Sequence, residues 1–239
     1  MKPKLILFYS ISFWLFSFFV FGQENEVKID SIAAKYKKRY SSFFIGADLF
    51  LPSLQFFNDR KGERIFLHYQ NKEKTAWVIE GGYEKNEYNK INWLVDVNGV
   101  FLLAGINYFF LIDREQNNFN GFYVGGRLAN ANYQQKINQY PIYGINTSNL
   151  VGVGSLEKKN INSTWIEFVF GSRVDLIKRK LYGDISFRAK YHLSSTEQEN
   201  IKPLVIPGFG VNRNNLNFDV WLSLGYQINL VKTKKLPKT

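Results

Sequence analysis

The chain contains no cysteine and only two histidines among 239 residues. Without cysteine there is no disulfide scaffold, no thiolate metal site, no cysteine nucleophile and no cysteine-linked lipid anchor. Two histidines leave little imidazole chemistry to distribute. Acidic side chains are also scarce, 20 against 31 Lys and Arg, which leaves a net charge of +11. Low-complexity segments are missing, and a hydrophobic content of 45% excludes a disordered chain. The length suits one domain of ordinary size or two small ones, with ample residues for a core.

What is present begins with a leader. Lys2 and Lys4 precede an uncharged, mostly apolar run over residues 5–21, and Val20 and Gly22 stand at the −3 and −1 positions of a small-residue cleavage site. This is the pattern of a secretory signal peptide over residues 1–22, cut after Gly22. The competing reading is an uncleaved anchor, because the run is just long enough to span a bilayer. The lack of a following stop-transfer cluster of positive charge favours cleavage. Cleavage removes Lys2 and Lys4, and secretion removes nucleic acid as a partner. Residues 23–40 then form a short periplasmic arm.

After residue 40 the hydrophobic period is two, the signature of strands. In 216–231 Leu216, Phe218, Val220, Leu222, Leu224, Tyr226, Ile228 and Leu230 share one face, and Asn217, Asp219, Trp221, Ser223, Gly225, Gln227 and Asn229 share the other. Strands are expected at 41–50, 63–70, 75–84, 98–111, 121–134, 162–177, 180–194 and 216–231. Only residues 178–179 separate the sixth from the seventh, so a tight hairpin sets their register. It places Arg173 opposite Asp184, Glu167 opposite Lys190, Phe170 opposite Phe187 and Ile166 opposite Tyr191. It also places Leu176 opposite Leu181 and Ile177 opposite Lys180. One register satisfies both faces.

Alternation alone fits a soluble lipocalin-like barrel or an outer-membrane barrel, which differ in the face turned inward. Four features favour the membrane. The last three strands exceed the roughly 9–11 residues needed to cross a bilayer. The polar face mixes glycine with charge, as a narrow lumen requires. The connections 51–62, 85–97, 135–161 and 195–215 are longer than 71–74, 112–120 and 178–179, matching long outer loops and short periplasmic turns. Aromatics gather near strand ends, among them Trp77, Tyr83, Tyr108, Phe122 and Tyr191. The expected fold is all-β: an eight-stranded, antiparallel, up-and-down transmembrane β-barrel over residues 41–231, with a basic tail at 232–239.

In the last strand Ser223, Gly225, Ile228 and Leu230 follow the polar-x-Gly-x-x-apolar-x-apolar pattern of the signal read by the outer-membrane insertion machinery. Lys28-Ile29-Asp30-Ser31-Ile32 follows the leader, Asn162-Ser163-Thr164-Trp165-Ile166-Glu167 opens a strand, and Val205-Ile206-Pro207-Gly208-Phe209 lies in the last long loop. On these segments the chain resembles a domain-of-unknown-function family of small outer-membrane β-barrel proteins of Gram-negative bacteria. The resemblance covers most of the mature chain. It implies the barrel and its location in the outer membrane, and it supplies no catalytic residues.

Chemistry beyond this is sparse. No metal-ligand spacing, P-loop or dinucleotide fingerprint appears, and no cofactor is expected. His68 falls near the periplasmic end of the second strand and His192 near the outer end of the seventh, so they share no dyad. His192 beside Ser194 and Ser195 is the one faint catalytic candidate, against the plainer reading of a solvated rim histidine. By parity the lumen receives Asp48, Glu80, Glu167, Asp175, Asp184 and Asp219 with Arg127, Arg173, Arg188 and Lys190. This near balance reads as a salt-bridged plug and not as the one-signed ring of a conducting pore.

The excess basic charge gathers in Lys37, Lys38 and Arg39 before the first strand, in Lys178, Arg179 and Lys180 at a turn, and in Lys234 and Lys235 at the end. This periplasmic collar suits anionic headgroups or a periplasmic partner. Ile206, Pro207, Gly208 and Phe209 either fold over the barrel mouth or form a loop surface that meets a partner.

The leading expectation is a non-enzymatic barrel with a structural or protein-interaction role, an accessory subunit of an outer-membrane assembly. Its partners are outer-membrane lipid, the insertion machinery and other outer-membrane or periplasmic proteins. The alternatives are an enzyme or small-ligand binder at the extracellular mouth and, third, a soluble periplasmic lipocalin-like carrier.

Overall fold

A computed structural model describes residues 38–56, 60–72, 74–90, 92–112, 120–144, 150–177, 180–212 and 214–233. The expected leader at 1–22, most of the arm and the end of the tail lie outside the described residues. The described residues fall within one unit, Lys38–Thr233.

Among the described residues ten strands follow one another: β1 Lys38–Asp48, β2 Arg60–Lys72, β3 Thr75–Lys90, β4 Trp93–Ile112, β5 Gly121–Tyr143, β6 Leu150–Ile177, β7 Leu181–Ser195, β8 Val205–Ile206, β9 Gly210–Val211 and β10 Leu216–Thr233. A five-residue helix, α1, spans Phe50–Leu54 between β1 and β2. Eight strands close into an antiparallel barrel in the order β1-β10-β7-β6-β5-β4-β3-β2, and β8 pairs only with β9. Closure pairs β1 with β10 along Lys38–Asp48, so no strand edge is left open there. The strand starting at Lys38 and the strand ending at Thr233 share one end of the barrel, called proximal below; the other end is distal.

The β6–β7 hairpin has the expected register for Arg173–Asp184, Glu167–Lys190, Phe170–Phe187 and Ile166–Tyr191. It departs at the turn, where Ile177 and not Leu176 faces Leu181, with an irregularity between Asp175 and Ile177. The N–H of Lys180 donates to the Ile177 carbonyl at 2.9 Å, so Lys180 closes the turn instead of pairing across it.

Several segments expected as loops are strand. β3 runs on to Lys90 and β4 begins at Trp93, with Lys85 opposite Asn98 and Glu87 opposite Asp96. Most of 135–161 is likewise a β5–β6 ribbon that reaches Tyr143 and resumes at Leu150. Over Val95–Asn98 and Ala131–Gln134 the alternation is inverted, with polar side chains outward and apolar ones inward; beyond Ile137 the ribbon is broken by register shifts, and Val151 and Val153 at its tip are exposed.

That inversion divides the barrel into two halves. In the proximal half the outward side chains are apolar: Trp77 is 59% exposed, Leu102 60%, Phe168 59% and Phe218 56%. A contiguous apolar belt of this extent has no place in water, where large exposed patches are rare on soluble proteins. It is the lipid face of a transmembrane barrel, and it overturns the soluble-carrier alternative. Further along the same strands the outward residues become Asn98, Asn132, Gln134 and Asn162, all exposed. The inward ones become Val95, Val97, Ala131, Tyr133, Ile137 and Ile161, all buried. The distal half is therefore built like a soluble β-barrel, and the change of sign marks the membrane boundary.

Candidate functional site

Each inward position of a strand lies two residues from the next, so charges of one parity stack into tiers along the lumen. Nearest the proximal end, Arg173 on β6 donates through Nε to Asp184 Oδ2 on β7 at 3.3 Å. The Tyr123 hydroxyl donates to Asp184 Oδ1 at 2.6 Å. Arg173 Nη2 also lies 2.7 Å from His68 Nδ1, and its guanidinium covers the Phe44 ring at 4.3 Å. The next tier centres on Glu80. It accepts from Arg188 at 2.7 and 3.0 Å and from Arg127 Nε at 3.2 Å. Arg188 reaches Glu167 at 3.1 Å, and the Trp165 indole donates to the same carboxylate at 2.8 Å. Arg127 donates a further bond to Asn107 Oδ1 at 2.6 Å.

All of these ionic side chains are fully buried. Placing a carboxylate in a low-dielectric lumen costs several kcal/mol unless its oxygens are satisfied, which two arginines on one Glu80 accomplish. Guanidinium groups suit the task because their planar forks hold two acceptors and stack on rings at once. Arg188 does both, lying 4.0 Å from the Trp221 ring centroid.

Above this network the lumen changes character. Val205, Ile206 and Phe209 are buried to 0–1% exposure and pack with Leu51, Phe101, Leu103 and Trp165 in a single apolar cluster. Between them, Pro207 and Gly208 form a tight turn: the Phe209 N–H donates to the Ile206 carbonyl at 3.1 Å, and Gly208 has φ +77°. Proline presets the first corner and glycine supplies the positive φ of the second, as a type II turn demands. A Cβ at Gly208 would also meet the Phe101 ring at 2.6 Å. The hairpin β8–β9 is thus a plug folded into the distal mouth. The reading of Ile206, Pro207, Gly208 and Phe209 as a loop surface is corrected: all four are buried. Apolar flanks on a rigid turn gain more from the apolar distal lumen than from water.

The plug is pinned by charge at its tip. The Gly208 N–H donates to Glu84 Oε2 at 2.9 Å, and Glu84 is held by Arg60 at 2.7 and 3.0 Å. Lys190 Nζ donates to the Gly208 carbonyl at 2.7 Å and to Asp219 Oδ2 at 2.9 Å. One residue of the plug, Gly208, therefore joins two ion pairs on opposite walls through its N–H and its carbonyl.

Nine of the ten expected lumen charges fall into place within or beside these tiers. Asp48, at the end of β1, accepts the Phe50 N–H at 2.8 Å where α1 begins. Asp175 stands apart, half-buried toward the proximal rim, where its N–H donates to Asn120. The expectation missed Arg60, Arg64, Glu84, Tyr123 and Asn107. Parity within the expected strands points to Arg64 and Glu84; Arg60 lies in the expected connection 51–62, which is strand from Arg60 on.

His192 Nε2 lies 2.5 Å from Ser195 Oγ, which is 2.7 Å from Ser163 Oγ, itself 2.9 Å from the Tyr133 hydroxyl. The side chain of Asn215 and the Phe209 ring also face this histidine. The chain of hydroxyls straps β5, β6 and β7 together. Among the described residues no cluster of three His, Cys, Asp or Glu side chains could hold a metal.

Ser223 and Gly225 of the insertion pattern face the lumen, while Ile228 and Leu230 are 47% and 40% exposed on the lipid face. Glycine is required at 225, since a Cβ there would meet the Tyr182 ring at 2.5 Å. Of the basic collar, Lys37, Lys178, Arg179, Lys234 and Lys235 lie outside the described residues. Lys38 and Arg39 begin β1 opposite Thr233 and Lys232, and Lys180 is exposed.

Comparison with known proteins returns one family. The model described as "Domain of unknown function (DUF6048)" matches residues 4–233. No curated protein matches the chain. Among solved structures the chain is similar to Ail, the attachment invasion locus protein of Yersinia pestis, at 11% identity and a TM-score of 0.39 over 80% of this chain and 100% of that one. It is also similar to the N-terminal β-barrel domain of Pseudomonas aeruginosa OprF, at 9% identity and a TM-score of 0.34 over the same shares.

Proposed function

The chain belongs to the DUF6048 family, and from that premise we propose that it is a closed outer-membrane barrel with a structural or protein-interaction role and no enzymatic activity. The observation that carries this reading is the double closure of the lumen. Buried ion pairs fill the proximal half, the β8–β9 plug fills the distal half, and Lys190 and Glu84 tie the two together. An eight-stranded barrel is already barely wider than its own side chains. With an even strand count, the proximal end faces the periplasm and the long hairpins stand outside. Residues 1–22 are the leader, cut near Gly22, and Ser223, Gly225, Ile228 and Leu230 address the chain to the insertion machinery. The arm at 23–40 and the basic collar form the periplasmic surface through which it joins a larger assembly as an accessory subunit.

Planar-bilayer recording tests the closure: the reading expects no stable openings, and large steady channels would overturn it. Purification in mild detergent with identification of bound proteins tests the accessory role. A recurrent partner at fixed stoichiometry is expected, and a lone barrel counts against it.

A further inference from the structure

Above the membrane boundary, β4, β5 and β6 turn a sheet face of amides outward. Asn132 and Asn162 form its lower row, and Asn98, Gln134 and Asn160 the row above, in the registers Asn98–Gln134, Gln134–Asn160 and Asn132–Asn162. The lower row is cross-linked: Asn162 Nδ2 donates to Asn132 Oδ1 at 2.7 Å and to Asn130 Oδ1 at 3.0 Å. Asn98, Gln134 and Asn160 are exposed and form the outer wall of a shallow groove bounded below by the rings and methyls of Tyr83 and Val100. Tyr83 and Val100 are 45% and 55% exposed at the top of the lipid belt. The groove therefore sits at headgroup height on the distal side.

We propose that this amide face docks the phosphorylated saccharide headgroup of an outer-leaflet glycolipid. The inference rests on the outer-membrane reading above and assigns it a lipid. Carboxamides both donate and accept, so a row of them matches the many hydroxyls of a sugar, which phosphatidylethanolamine lacks and phosphatidylglycerol carries only on its terminal glycerol. An exposed tyrosine at the groove edge gives a sugar ring an apolar surface. Charge above the groove completes the match. Lys85 is paired with Glu87 at 3.2 Å, Asp96 accepts the Asn138 amide at 2.6 Å, and Lys159 donates to the Glu197 carbonyl. Lys136, which lies opposite Asp96 across β4 and β5, and Lys158 are exposed, and neither makes an ion pair among the described residues; the proposal assigns both to phosphate.

The test uses the full-length mature protein in vesicles of phosphatidylethanolamine and phosphatidylglycerol, with and without purified lipopolysaccharide, and counts lipid retained after mild extraction by native mass spectrometry. Wild type should retain lipopolysaccharide in preference to phosphatidylglycerol. The variant Asn98→Ala/Gln134→Ala/Asn160→Ala should retain it roughly tenfold less, with phospholipid retention unchanged. Heat-modifiable gel mobility shows that the variant is folded, and K136A/K158A offers a second route that leaves the amides in place. Equal retention of both lipids by wild type, or unchanged retention by both variants, would overturn the proposal. Full competition by the deacylated oligosaccharide at equal concentration would overturn the assignment to a membrane-borne ligand. Failure of wild type to insert into either vesicle would instead overturn the outer-membrane reading.

Discussion

The proximal and distal halves of this barrel share strands, register and period, yet they invert inside and outside. Near the termini, lipid surrounds the wall, so apolar side chains face out and charges are forced into the lumen. Beyond the boundary, water surrounds the wall, so amides and lysines face out and Val95, Val97, Ile161 and the plug fill the interior. The backbone is indifferent to the change, because hydrogen bonding between neighbouring strands is satisfied in either solvent. What differs is how each interior is held. A charged interior depends on complete pairing, since one missing partner strands a buried ion. An apolar interior depends on filled volume, and it degrades gradually as side chains are trimmed.

The largest effect should come from breaking the charged half at its hub. Glu80→Ala leaves Arg127 and Arg188 buried without their shared carboxylate, and should cost about 3–5 kcal/mol in urea unfolding followed by tryptophan fluorescence in micelles. A loss below about 1 kcal/mol would mean that water already solvates the tier. Emptying the apolar half comes next. Phe209→Ala removes the plug's aromatic anchor against Trp165, whose ring lies 5.9 Å away, and should cost about 3 kcal/mol in the same assay. The smallest effect separates the halves by their outer faces. Ile106→Arg, within the lipid belt, should cost about 2–3 kcal/mol, while Asn98→Arg, on the same face of the same strand above the boundary, should cost at most about 1 kcal/mol. Equal costs would place the membrane boundary elsewhere.

The two halves also differ in how far they could be read from the chain. The proximal half was legible because its cues are local. Period two marks the strands, parity sorts Glu80, Arg127, Glu167 and Arg188 to one side, and the close spacing of β6 and β7 aligns Arg173 with Asp184. Only the turn slipped by one residue, where Lys180 closes it. The distal half was hidden because alternation is symmetric. Val95 and Val97 against Asp96 and Asn98 alternate as cleanly as any lipid-facing pair, but with the opposite sign for the same solvent assumption. The plug was harder still. Its turn, Pro207-Gly208, is plain, but its acceptors and donors are Glu84 and Lys190, 124 and 18 residues away along the chain.

By itself the sequence determined the eight-stranded class, the charge-bearing face and the β6–β7 pairing, since each follows from spacing within a strand or across one turn. Tertiary structure decided which solvent each face meets, where that assignment reverses, and that Ile206–Phe209 turns inward. Those outcomes depend on burial, a property of the closed barrel as a whole: only once β1 meets β10 does the wall have an inside to fill.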